Sequence, residues 1–568
     1  MMKKIPIGTD NFIKLREEGF YYIDKTLLIK ELLENWAEVN LFTRPRRFGK
    51  SLNMSMLQAF FDIKGNPDIF DGLNIQEQAE ELCSEHMNKY PVISITLKDV
   101  EGDSYAAVAR ALSNAIGIKA REFSELIDSK ELLPEEIMAY KQLIANGDAG
   151  DLSTFELKDE VLKSSLLTLS SLLYKHYKRK VILLIDEYDV PLDKANGKKH
   201  YDKVVDLIRA ILSRALKSNE NLQFAVLTGC LRVGKESIFT GLNNLHIMSI
   251  QDMMYDEFFG FTKEEVIELL QYYGLEDRAQ QVEDWYDGYL FGNKKVFCPW
   301  DVLKYCFDAK AGWKGTPHCY WANSSGNNIV RRLLDESTLN VRSEIEELVE
   351  YGTIKKVLNN NLTYQEIYDS ADNIWSVLFA TGYLTMTESP TDEFTELKIP
   401  NLEVRTIFVT QIMEWIKEQA NETEVNNFCD MLFNGETENI KEFFNSFLKR
   451  TISIRDTFVP NAKKENFYHG VLIGILGNSN NLETKSNIEA GNGFSDITVF
   501  DDINRRGVVI EVKYAQNGDL KAACDEGLNQ IEEKNYAAVF ESRGIENIHK
   551  YAIACHLKEC EVFEGDVI

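Results

Sequence analysis

A short apolar run, Val39–Phe42, gives way to a basic loop, RPRRFGK, and then to a segment of helical period, LNMSMLQAFF. No other stretch constrains the fold as tightly. A strand, a glycine-ended loop and a helix N-terminus in succession leave unpaired N–H groups aimed at one point, which makes an anion cradle. Gly49-Lys50-Ser51 supplies the second half of the P-loop pattern G-x-x-x-x-G-K-[ST], in which the lysine reaches the β- and γ-phosphates of ATP and the hydroxyl binds Mg²⁺. Arg44 stands where that pattern asks for its first glycine. Arg44, Arg46, Arg47 and Lys50 form one basic cluster, and with Gly49 and Ser51 they are the expected nucleotide-binding residues.

The segment VILLIDEYD at 181–189 is the counterpart of that loop. Val181–Ile185 reads as a fully buried parallel strand. In a doubly wound sheet, ligands bind at the carboxyl ends of the strands. Asp186 is therefore placed to hold the Mg²⁺ shell, and Glu187 to polarise an attacking water. Two further strands are expected, PVISITL at 91–97 and NLQFAVLTGC at 221–230. Thr228, at the tip of the latter, is the expected γ-phosphate sensor, and Arg232 beyond it is an arginine-finger candidate or an ordinary surface arginine. The mostly helical pattern over 103–177 implies a helical insertion between Lys50 and Asp186. Tyr22, Asp24 and Lys25, just before the first strand, are candidates for the nucleotide edge, with plain packing as the alternative.

Residues 256–400 read as a mainly helical lid or winged-helix-like connector. Within it Thr262 is an expected helix N-cap, SVLFATGYLTM at 376–386 has strand character, and Arg331-Arg332 are candidate lid arginines. The acidic helical stretch 401–450 reads as a linker.

A second chemical constellation lies at 465–514. A helix, ENFYHGVLIGIL, precedes a strand around Thr484–Ala490, a glycine turn, the strand SDITVF with Asp496 at its start, and VVIEVKY. Residues i and i+2 of a strand share a face, so Glu511 and Lys513 point the same way. Antiparallel pairing would bring Asp496 to Glu511. Two carboxylates and a main-chain carbonyl suit Mg²⁺ or Mn²⁺, and Lys513 would orient the water or offset developing charge.

The segments IPIGTDNFIKLREEGFYYIDKTLLIKELLE, FTRPRRFGKSLNMSML, LLIDEYDVPL and FAVLTGCLRVGKESIFTGLNNL resemble the bacterial AAA-ATPase-like proteins, many of which carry a C-terminal PD-(D/E)XK nuclease domain. The RPRRFGK[ST] loop is that family's own form, so Arg44 matches it. The resemblance implies an α/β P-loop NTPase (a parallel sheet flanked by helices) over 1–255, with helical insertion and lid, and a restriction-endonuclease-like α/β domain over 451–568. It implies roles for Gln530 and Tyr536 after the core strands, for Glu489 as a further metal ligand beside Asp496 and Glu511, and for Tyr468 and His469. It also implies cleavage of nucleic acid, DNA before RNA, in bacterial DNA processing or defence.

Composition narrows the alternatives. A net charge of −27 over 568 residues argues against nonspecific adhesion to nucleic acid, because the overall field repels phosphate. No run approaches the roughly 20 apolar residues of a membrane span, and MMKKIPIGTDNF lacks the apolar core of a signal peptide. Nine cysteines without a C-x-x-C pair fit reduced thiols in a cytoplasm. Cys555-His556 with Cys560, and His318-Cys319, match no standard zinc spacing. The leading expectation is an ATPase joined to a metal-dependent nuclease, with self-association as a route to completing the ATP site. The alternative is an ATP-driven signalling switch or scaffold whose nuclease-like domain only binds nucleic acid or protein. A phosphotransferase would also use a P-loop, but no acceptor site is visible.

Overall fold

The computed structural model describes the chain apart from residues 1, 36, 147–153, 218, 232–238, 240–243, 316, 322–329, 331–338, 350–351, 360–361, 363, 365, 369, 389–392, 420–421, 452–463, 477–481, 492, 558 and 568. Arg232, Arg331 and Arg332 lie outside the described residues. The chain packs as two units, Met1–Ser325 with Lys355–Val404, and Gly326–Ile354 with Arg405–Ile568.

The first unit is built on a five-stranded sheet: β1 (Val39–Thr43), β2 (Val92–Thr96), β3 (Val181–Asp186), β4 (Leu222–Gly229) and β5 (Leu245–Met248), in the order β2-β3-β4-β1-β5. Every neighbouring pair is parallel. Parallel strands need covered faces, and β1 and β3 are buried at every residue. All strands point the same way, so Thr43, Asp186 and Gly229 gather at one rim, where the loop after β1 turns into the helix Lys50–Phe61. Gly49 caps that helix in the left-handed region, φ 80°, a turn that a side chain would resist. Helices Tyr105–Arg121, Pro134–Leu143 and Asp159–Tyr177 form the insertion between β2 and β3.

Beyond the sheet, the helix Lys263–Tyr273 starts in a capping box of Thr262 and Glu265. β6 (Tyr289–Phe291) and β7 (Lys294–Val296) form a hairpin. After β8 (Ile354–Lys356), the apolar run expected as a strand at 376–386 is instead the end of a buried helix, Ala371–Thr381. Ser370 caps its start and Gly382, φ 91°, ends it. A short apolar run does not by itself distinguish buried helix from buried strand, and here the caps decide. Only Thr385–Met386 is extended, as β9, pairing antiparallel with β10 (Thr395–Lys398).

The second unit carries β11 (Glu483–Ala490), β12 (Gly493–Asp501), β13 (Arg506–Tyr514), β14 (Asn547–His556) and β15 (Glu559–Glu564) in sequential order. The ladder is antiparallel except between β13 and β14, which are parallel. Parallel neighbours need a long crossover, and the helix Leu520–Lys534 provides it, capped by the Asp519 side chain. That helix lies close on the sheet because Gly527 has no side chain: a Cβ there would sit 2.9 Å from the Ala552 Cβ and 3.7 Å from the Glu511 Cγ. Replacing Gly527 with Val should therefore destabilise this unit by about 1–3 kcal/mol, as overpacked cores do. The check is a denaturant titration followed by near-ultraviolet circular dichroism; an unchanged midpoint would mean that the helix has room to move away.

Candidate functional site

At the rim of the parallel sheet, a cavity of ≈ 350 Å³ is lined by Arg47, Phe48, Gly49, Lys50, Ser51 and Glu187, within the range of small-ligand pockets. Tyr22, Lys25, Lys98 and Trp300 also border it. Lys50 Nζ donates to the carbonyls of Arg44 (3.0 Å) and Pro45 (2.8 Å), so its ammonium is satisfied by its own loop. Ser51 Oγ donates to Asp186 Oδ2 at 2.6 Å, and Thr228 Oγ1 donates to Asp186 Oδ1. One carboxylate thus ties together the helix after β1 and the tips of β3 and β4. A hydroxyl beside a carboxylate is a donor set that suits Mg²⁺ with phosphate oxygens.

Glu187 comes directly after Asp186 with φ 54°, the left-handed region that residues with side chains seldom occupy. Such strain persists only where the surroundings over-determine it. Burial first, and the neighbouring Asp186 second, raise its carboxyl above the ordinary range. Lys50 partly offsets this, and so, more weakly, does Lys98, just past the tip of β2. It was not among the expected residues, although its place at the carboxyl end of the buried run at 91–97 was a signal that could have found it.

Three expected residues are placed elsewhere. Arg44 is fully buried and does not line the cavity: its guanidinium donates to the carbonyls of Thr43, Met248 and Tyr255 and lies 5.0 Å from the Phe259 ring. It braces the loop from within. Arg46 points outward to Asp193 at 3.4 Å. Asp24 is occupied in capping, accepting from Thr26 N (2.8 Å) and Asn74 N (2.7 Å). Arg47 does reach the cavity, its guanidinium 4.1 Å from the Trp300 ring centre.

In the second unit, β12 and β13 pair from Ile497 with Ile510 up to their shared turn. Just before that register begins, the Asp496 carboxylate crosses to β13 and accepts from Val512 N at 2.9 Å. Glu511 is 1% exposed; one oxygen accepts from Lys513 Nζ at 3.0 Å, while Oε2 has no partner among the described residues. An orphaned buried carboxylate oxygen is costly in a folded protein. Ligand atoms of Glu465, Asp496 and Glu511 lie within 4.8 Å of one another. Hard oxygen donors, one of them unpartnered, fit Mg²⁺ or Mn²⁺. Burial, then Asp496, pushes the Glu511 carboxyl up to about 7.

Glu465, in the first turn of the helix Lys464–Leu476, was missed from sequence. Glu489, expected as the third ligand, is not part of the cluster: it is exposed on the edge strand β11, opposite Phe494. Lys513 Nζ is held further by Gln530 Oε1 at 2.7 Å, and Gln530 Nε2 donates to Tyr536 Oη at 3.1 Å. His469 Nε2 donates to the Asp496 carbonyl at 2.9 Å, and Tyr468 donates to the Leu557 carbonyl at 2.6 Å. Gln530, itself bonded to Tyr536, thus holds Lys513, and His469 braces the Asp496 backbone, while Tyr468 is bonded just past the end of β14.

Comparison with known proteins matches these two centres to two family models. Residues 6–239 match the model described as Predicted AAA-ATPase, and residues 463–564 match the PD-(D/E)XK nuclease superfamily. The chain carries an AAA-ATPase-like domain followed by a PD-(D/E)XK nuclease superfamily domain. An uncharacterized protein in the vnfD 5′ region of Azotobacter chroococcum mcd 1 is 25% identical over 567 residues, covering 96% of this chain and 95% of the relative. Among solved structures, the Aeropyrum pernix ORC2 protein (ADPNP-ADP complexes) aligns over 68% of this chain and 92% of its own, at 10% identity and a TM-score of 0.23. No described helix is long and apolar enough to cross a membrane.

The raised Glu511 carboxyl in the nuclease superfamily domain has a measurable consequence. It holds a proton in the folded state up to about pH 7, against an ordinary value of 4.5. The folded state therefore binds the extra proton between those limits, and stability falls as pH rises through them. In EDTA, wild type should lose stability relative to Glu511→Gln between pH 4.5 and 7. Mg²⁺ or Mn²⁺ added above that range should restore wild type and leave the variant unmoved. Identical thermal shifts for both proteins would remove Glu511 from the metal-ligand set.

Proposed function

We propose that this protein hydrolyses ATP at the β1 rim and that its C-terminal domain is a divalent-metal-dependent nuclease acting on DNA before RNA. The observation that carries the nuclease reading is the convergence of Glu465, Asp496 and Glu511 around an unsatisfied carboxylate oxygen, with Lys513 alongside. A bound divalent cation would lower the pKa of a coordinated water and stabilise charge on the scissile phosphate. Asp496, Glu511 and Glu465 would hold that ion, and Lys513, fixed by Gln530, would orient the water. We assign Glu489 no part in this set.

At the ATP centre, Lys50 would exchange its two carbonyl partners for the β- and γ-phosphates, Ser51 and Asp186 would hold Mg²⁺, and Glu187 would polarise the attacking water. Thr228, bonded to Asp186, would register the γ-phosphate. Arg47 and Gly49 complete the phosphate-facing loop, while Arg44 and Arg46 act on its shape and surface. The reading extends to a cytoplasmic protein of bacterial DNA processing or defence, with self-association as a route to a second arginine.

The test is cleavage of plasmid, linear duplex and single-stranded DNA, and of RNA, with Mg²⁺ or Mn²⁺, with and without ATP. Asp496→Ala and Lys513→Ala should each lower cutting by about 100-fold or more, the scale of losing a transition-state contact. Lys50→Ala should lower ATP turnover on the same scale while the chain stays folded. ATP hydrolysis by a wild type that cuts nothing would favour the switch-or-scaffold reading.

A further inference from the structure

The nuclease domain has a charge problem. Residues 463–568 contain 11 Lys and Arg against 18 Asp and Glu. Several of the basic side chains are already ion-paired: Lys485 with Glu483, Arg506 with Asp501, Arg543 with Glu483, Lys550 with Glu532. Nucleic-acid affinity ordinarily rests on phosphate neutralisation, and the balance of charge in this domain is negative. A contact of another kind close to the carboxylates would add to it.

Phe494 stands beside those carboxylates in the chain. It lies on β12, two residues before Asp496, and is 65% exposed. Two residues along a strand span about 7 Å, which places the ring within reach of the base flanking a phosphate held at Asp496. The other exposed large apolar side chains described in 463–568 are Ile503, in the turn at the far end of the β12–β13 hairpin, and Val567, next to the chain's last residue. Phe494 pairs in register with Glu489 on β11, an acidic neighbour that disfavours a second phosphate at this spot.

We propose that Phe494 is a stacking platform for an unpaired nucleobase beside the Asp496/Glu511 centre, and that the substrate is single-stranded or frayed where it is cut. The inference rests on the nuclease reading above. Stacking is sequence-tolerant and needs a base freed from its partner, so an intact duplex gains nothing from it.

Fluorescence anisotropy with the full chain tests this. Probes are a labelled single-stranded DNA 20-mer, the same strand with a central abasic run, and a blunt duplex. Wild type should prefer the 20-mer over the duplex and over the abasic strand by about tenfold. Phe494→Ala should lose that margin, and Phe494→Trp should keep it; thermal melting checks that both fold. Phe494→Ala binding all three probes as wild type does, or a wild-type preference for duplex, overturns the proposal while leaving the nuclease reading standing if wild type still cuts. Wild type that neither binds nor cuts any nucleic acid overturns both.

Discussion

A carboxylate held on a buried strand by donors from neighbouring elements is the interaction on which both chemical centres depend. Asp186 ends a strand with no exposed residue, and its two oxygens are taken by Ser51 and Thr228. Three segments distant in sequence are thereby fixed to one group. Remove that carboxylate and the helix after β1 keeps only the longer Lys50–Cys230 contact, 3.7 Å, as a side-chain hydrogen bond to this rim among those described. Asp496 repeats the device in another sheet, spanning from β12 to Val512 N on β13. In each case the charge is offset by hydrogen bonds to its carboxylate form, and the neighbouring Glu187 or Glu511 is left with its carboxyl raised. Perturbed carboxyls beside a fixed one are what acid–base and metal chemistry need.

Arg44 shows how the loop tolerates losing a glycine. In the general pattern that glycine allows the backbone a tight turn. Here the turn is held from behind, by a guanidinium bonded to carbonyls at the ends of β1 and β5 and in the loop beyond β5, and packed between Phe259 and Phe291. Burial pulls its pKa down to about 10, which still leaves it charged at neutral pH. Movement of this buried, charged brace would leave those three carbonyls without their donors; its own Nε is buried with no partner among the described residues.

Legibility in the sequence tracked the range of each signal. The β3 strand is a continuous apolar run up to Asp186, β1 and β13 are apolar around Asn40 and around Glu511 and Lys513, and Gly49-Lys50-Ser51 and Glu511-x-Lys513 are local spacings, so each could be read within a few residues. The direction of Arg44 could not, because its partners Met248 and Tyr255 lie some 200 residues away. Glu465 was hidden for the same reason: it reaches Asp496 and Glu511 only through helix-on-sheet packing. The family pattern points to Glu489, yet strand geometry leaves it exposed on an edge. The apolar run at 376–386 has strand character by itself, and the caps that make a helix of its first half are Ser370, before the run, and Gly382, within it.

The two lysines share a further property that bears on how such sites stay both folded and ready. Lys50 rests on two carbonyls of its own loop, and Lys513 on Gln530 and Glu511. A buried ammonium without partners would be strongly destabilising, so each site supplies provisional acceptors. Those acceptors are neutral carbonyls for Lys50, which a phosphate dianion would outcompete because charge-assisted hydrogen bonds are the stronger ones. Lys513 differs: one of its acceptors is a carboxylate that the metal reading also requires. Binding an ion at Glu511 would weaken that lysine's hold and free its charge for the scissile phosphate. On the proposed reading, the same Glu511–Lys513 contact that steadies the folded site would couple metal occupancy to the availability of the lysine.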